Sequence, residues 1–127
     1  MAHITDSATI PQQELGDGVV VQILTGDDSG SKSLRVGTAT FRPDAGLPCH
    51  THDFDESITI LSGEATIFVD GRRTLMRARD TAFVPAGSPH RFTNDHPTDP
   101  MVMLWVYAAA STARNLVDPA LCEIAGD

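Results

Sequence analysis

The chain breaks into short apolar, β-branched segments with turn formers between them, and that pattern most narrows what it can fold into. Residues 18–25 read GVVVQILT and end at the turn cluster Gly26-Asp27-Asp28-Ser29-Gly30-Ser31. Residues 33–42 form the next segment, stopped by Pro43, and a loop follows through Gly46 and Pro48. Segments at 57–61, 64–69, 72–79, 81–84, 90–94 and 101–109 complete the series. Asp70-Gly71, between two of them, is the strongest hairpin signal in the chain. Strands of this length at this spacing predict an all-β antiparallel sandwich or barrel. Nothing resembles a βαβ crossover. One short helix is expected near the C-terminus, with Asp118 as N-cap and Pro119 at its first position, leading into residues 120–125.

At 127 residues the chain is the size of one domain. The expected organisation is an N-terminal arm (1–15), mobile or packed on a partner subunit, a barrel (16–110) and a C-terminal tail (111–127). The net charge of −8 argues against nucleic acid and against anionic lipid, both of which need clustered Lys and Arg. An anionic substrate stays compatible, because a bound cation would dominate the field inside a pocket. No segment reads as a signal peptide, and none approaches the ~18 apolar residues of a membrane span. A cytoplasmic location is the expectation. Cys49 and Cys122 make no disulfide framework. Cys49 is expected as a buried thiol pointing away from its neighbour's side, and Cys122 as helix packing.

The chemistry concentrates in three histidines and one glutamate. His50 and His52 are two apart, so on a strand they share a face, with Cα atoms roughly 6.5–7 Å apart. Glu56 keeps the same parity after a bend through Asp53-Phe54-Asp55. His90 follows Pro85-Ala86-Gly87-Ser88-Pro89, and an antiparallel barrel can carry it across to the others. Three neutral imidazoles and a carboxylate suit Fe, Mn, Ni, Co, Cu or Zn better than Ca or Mg. Asp53 and Asp55 have the wrong parity and are expected to face solvent. His3 and His96 fit no ligand pattern.

The stretch Gly46-Leu47-Pro48-Cys49-His50-Thr51-His52-Asp53-Phe54-Asp55-Glu56, with Gly63 beyond it, resembles the first cupin motif. Residues 85–94, PAGSPHRFTN, resemble the second, and the 15 residues between Gly63 and Arg79 match the spacing in small bacterial cupins. Two positions depart from the pattern. Gly46 leaves three residues before His50 where the family has five, and Arg79 stands where the second motif opens with glycine. A side chain at a turn that needs positive φ costs about 1 kcal/mol.

The resemblance implies a double-stranded β-helix (jelly-roll) barrel, a homodimer, and one divalent transition metal on His50, His52, Glu56 and His90. It implies a small-molecule ligand and Lewis-acid or dioxygenase-like chemistry, with no catalytic residue beyond the ligands. The alternatives are a non-catalytic metal-dependent sensor and a sugar or uronate isomerase-like enzyme. Ile58, Ile60 and Phe92 share parity with nearby ligands and are the expected apolar pocket wall. Trp105 and Tyr107 share one face of the last strand, which is either pocket lining or a subunit contact. Arg35 and Arg42, on the strand before the metal loop, are candidates to reach a substrate carboxylate, with solvent exposure the plainer expectation.

Overall fold

The computed structural model describes residues 1–123. Among the described residues there are eleven strands: β1 (Gln13–Gly16), β2 (Val19–Thr25), β3 (Arg35–Phe41), β4 (His50–Thr51), β5 (Glu56–Ser62), β6 (Glu64–Val69), β7 (Arg72–Arg77), β8 (Thr81–Val84), β9 (His90–Thr93), β10 (Met101–Tyr107) and β11 (Asn115–Leu116). They form two antiparallel sheets, one ordered β1-β2-β3-β10-β5-β8 and the other β11-β4-β9-β6-β7. The architecture is all-β, two antiparallel sheets facing one another across the core. The expected C-terminal helix is, among the described residues, one 3-10 turn over Pro119–Cys122. Asp118 caps it as expected, accepting from Ala120 N. The expected continuation to residue 125 runs past the described residues.

Alternation along the strands puts apolar side chains between the sheets. In β10, Met101, Met103 and Trp105 point inward while Val102, Leu104 and Val106 are partly exposed. Phe41, Ile58, Ile60 and Phe92 are almost fully buried beside them. Gly37 is paired with Trp105 across β3 and β10. A methyl at Gly37 would overlap the Trp105 ring and the Gln22 carbonyl, so glycine makes room for the indole.

The turns follow from their residues. Asp70 and Gly71 both have positive φ, 53° and 70°, as the two central residues of a type I′ hairpin need. Asn94 is fully buried, and its Nδ2 donates to the carbonyls of Phe41 (3.1 Å), Arg42 (3.2 Å) and Asp99 (2.9 Å). Its Oδ1 accepts from His96 N at 3.1 Å, so one amide ties three loops.

Arg79 has φ 78° in the turn that feeds β8, and its N–H donates to Ile60 O at 2.7 Å. This is the position where the motif asks for glycine. Arg79→Gly is therefore expected to stabilise the protein by up to about 1 kcal/mol, offset in part by the freer unfolded chain. A rise in the urea midpoint with unchanged slope checks it, and a fall refutes it.

The segment before residue 16, expected as an arm, contributes β1, which pairs with β2 of its own chain. β11, in the expected tail, pairs with β4: Leu116 opposes His50 and Asn115 opposes Thr51. The largest correction concerns the cysteines. Cys49 and Cys122 are joined in a disulfide, with Cα atoms 6.0 Å apart and a sequence separation of 73. The physical reason is the β4–β11 pairing. Val117 N donates to Cys49 O, and the Asp118-capped turn then folds Cys122 back onto Cys49. No described helix is long and apolar enough to cross a membrane.

Candidate metal centre

Two strands of one sheet and one of the other converge on a common point. His50 opens β4, His90 opens β9, and the two are cross-strand partners with ring centroids 4.3 Å apart. His52 lies just past β4, its carbonyl accepting from Gly87 N at 2.8 Å. Glu56 opens β5 in the facing sheet, between Tyr107 of β10 and Val84 of β8. All four side chains are buried, at 1–4 % exposure. The imidazole ligand atoms of His50, His52 and His90 lie within 4.8 Å of one another. Glu56 Oε1 sits 3.0 Å from His90 Nε2 and 3.7 Å from His52 Nε2.

Hydrogen bonds decide which ring nitrogen faces the centre. His50 Nδ1–H donates to Pro48 O (2.7 Å), His52 Nδ1–H to Ala113 O (2.7 Å) and His90 Nδ1–H to Ser88 O (2.8 Å). A carbonyl can only accept, so each Nδ1 carries a proton and each ring turns its Nε2 inward, free to bind an ion through its lone pair. His52 Nε2, His90 Nε2 and Glu56 Oε1 are buried and lack any hydrogen-bond partner. Buried acceptors facing one another without a donor are costly, and a cation among them satisfies all at once. The cluster next to Glu56 is thus capable of coordinating a divalent metal ion, and main-chain carbonyls orient its imidazoles.

Electrostatics agree. Burial, then the nearby His90, hold His50 far below the usual imidazole range, at about 3, despite the bond to Pro48 O. His50 therefore stays neutral, the ligand form, at any ordinary pH. Tyr107 is pushed well above the usual phenol range by burial and by the charge and hydrogen bonding of Glu56. It remains a protonated donor.

A pH dependence follows for the metal-free protein. Unfolded, His50 takes up a proton near pH 6.5; folded, it resists protonation until about 3. The unfolded state then binds more protons between these values, so its share of stability, intact above pH 6.5, is lost on acidification. The expected slope from this residue is about 1.4 kcal/mol per pH unit between roughly pH 6 and 4. Urea titrations of parent and His50→Ala protein over that range isolate it, and parallel profiles would refute it.

A cavity of about 140 Å³ opens beside the cluster. Phe92, Trp105 and Tyr107 line it with His50 and Glu56, so the Trp105–Tyr107 face looks into the molecule. Ile58 and Ile60 do not line it. They share the inward face of β5 with Glu56, but further along the strand, where the core covers them completely. Asp53 and Asp55 are exposed and fasten loops: Asp53 Oδ1 accepts from Asn115 Nδ2 and Asp55 Oδ1 from Ala86 N. Arg35 is bound to Asp27 (3.1 Å) and Ala110 O (3.2 Å), away from the cavity, and Arg42 is exposed. Arg114, which pattern reading passed over, does line it, together with Thr112 and with Gln13 and Leu15 of β1. Both flanking segments are short and show no periodicity; the pairing of β1 with β2, and of β11 with β4 together with the disulfide, reveals their positions.

Comparison with known proteins places this geometry. Residues 37–107 match the family model for the cupin domain, more than half of the chain. A quercetin 2,3-dioxygenase of Bacillus subtilis is 41% identical over 47 residues, which is 36% of this chain and only 14% of that protein. An RmlC-like cupin from Shewanella frigidimarina superposes with a TM-score of 0.77 at 21% identity, covering 88% of this chain and 95% of that one. The polyketide cyclase RemF from Streptomyces resistomycificus gives 0.80 at 18% identity, covering 93% and 87%. At such identities the two structures speak to the fold alone.

Proposed function

The chain belongs to the cupin family, and from that premise we propose that it is a divalent-metal-dependent enzyme acting on a small polar metabolite at His50, His52, Glu56 and His90, in the family's jelly-roll barrel. The observation that carries this is the set of inward Nε2 lone pairs, each fixed by an Nδ1–H bond to a carbonyl, meeting an unpartnered Glu56 Oε1. The donor set fits Fe, Mn, Ni, Co, Cu or Zn, with some coordination positions left for water or substrate. A bound ion there supplies Lewis acidity, or reactivity towards O₂ if it is redox-active.

The chain's own residues do the rest. Glu56 brings one negative charge to three neutral rings. Tyr107 keeps its proton and offers a donor beside Glu56. Phe92 and Trp105 keep that end of the cavity apolar and limit water. We lean towards dioxygenase-like chemistry, supported by the short stretch shared with the Bacillus dioxygenase. An isomerase-like reaction has one observation in its favour, the protonated Tyr107 at the site.

Elemental analysis of protein purified without added metal, followed by O₂ uptake and product analysis over a metabolite panel, tests this. A transition metal at one per chain with O₂-dependent product is the expected result. Metabolite binding with no product identifies a sensor instead, and failure to take up any transition metal ends the metal reading. We also infer a homodimer, supported by the exposed Leu15 and Phe83 on β1 and β8, the outer strands of one sheet. Sedimentation reads the mass. A cytoplasmic location requires Cys49–Cys122 to persist where disulfides are rare. Thiol alkylation at lysis reads which form the cell holds.

A further inference from the structure

The cavity beside the cluster carries a cation that the described residues leave unneutralised. Arg114 lies on the segment joining β10 to β11, half-buried, in the cavity wall with His50, Glu56 and Thr112. Among the described residues it has no ion-pair partner. Arg35 is paired with Asp27, Arg77 with Glu64 at 3.9 Å, and Arg91 lies over the Phe68 ring at 3.8 Å; Arg114 is the arginine that lines this cavity. In a chain with 17 acidic residues and a net charge of −8, an unpaired guanidinium facing a cavity is a selective feature.

The charge balance of the loaded site is positive. Three neutral imidazoles, one carboxylate and a divalent ion sum to +1, and Arg114 adds another. A neutral ligand would leave that guanidinium facing an apolar wall that includes Leu47, Met103 and Trp105. An anion with an apolar body satisfies both halves.

We infer that the cavity takes an organic acid, whose carboxylate is held by the Arg114 guanidinium while its apolar body packs against Leu47, Met103 and Trp105 beside the metal cluster. The inference rests on the metal-enzyme reading and names its substrate class. A carboxylate matches the two-pronged fork of one guanidinium. A phosphate ester brings a dianion with three free oxygens, more than the fork of one guanidinium pairs with. Arg114 is thus a specificity residue supplied by the segment after β10.

The test uses full-length protein loaded with Co²⁺, with cobalt per chain measured first. Butyrate, benzoate, phenylpyruvate, benzamide and phenyl phosphate are titrated by calorimetry and by the cobalt visible spectrum. The expected result is binding of at least one acid, with benzamide weaker than benzoate. Arg114→Gln should weaken the bound acid about tenfold or more and leave benzamide unchanged. Arg114→Lys, which keeps charge but loses the fork, should fall between. Equal acid affinity in Arg114→Gln, no acid binding to the parent, or tighter phenyl phosphate than benzoate overturns the inference. Failure of cobalt to load counts against the metal reading alone, because the same titration on metal-free protein still reads Arg114.

Discussion

His50→Ala is expected to bind a divalent transition metal at least about a hundredfold more weakly than the parent protein, with turnover lost in parallel. Loss of an orienting partner alone commonly costs 10–100-fold in metal affinity, and here a donor itself is removed. The remaining donors, His52, His90 and Glu56, keep their positions because each is anchored independently: His52 by Ala113, His90 by Ser88 and Glu56 by the β5 ladder. The fold should survive, since His50 borders the cavity and its truncation enlarges a space already open instead of creating a sealed void. Competition with a chromophoric chelator measures the affinity, and circular dichroism checks the fold. Unchanged metal affinity in a folded His50→Ala protein would sink the ligand assignment.

Cys122→Ala is expected to destabilise the protein by about 4 kcal/mol. Closing a loop with a sequence separation of 73 restricts the unfolded chain by roughly that amount. The melting temperature should fall by more than about 10 °C. The effect reaches the site because the bond fastens the segment after β10. That segment supplies the Ala113 carbonyl that orients His52, the Arg114 side chain in the cavity wall, and β11 alongside His50. Metal affinity should therefore fall about tenfold in Cys122→Ala and in parent protein treated with a dithiol reductant. Calorimetry with and without reductant, paired with chelator competition, reads both quantities. A bond that is merely decorative would leave both unmoved.

Pattern and spacing made much of this molecule legible. Long β-branched segments such as 18–25 and 101–109 announce strands because alternation over several residues leaves few other folds. His50, His52, Glu56 and His90 stand out because period-two parity and the two cupin motifs coincide. Short elements escape this logic. β11 is two residues of polar surroundings, and β1 reads as a mixed arm, because neither is long enough to show a period. The disulfide was hidden for the same reason: it depends on β11 pairing with β4, a contact no local pattern encodes. Arg114 followed from that miss. Ile58 and Ile60 had the right parity, but parity assigns a face and says nothing of depth along the strand.

Every acceptor that sets the imidazole tautomers, at Pro48, Ser88 and Ala113, belongs to the main chain. A point substitution alters a side chain and leaves the peptide oxygen where it was. Proton placement on the rings is therefore insulated from most mutations at those three positions. The lining of the neighbouring cavity has no such protection, since Arg114, Trp105 and Leu47 act through their side chains. New substrate preference can thus be acquired by single changes in the lining while the ion-holding chemistry is inherited intact.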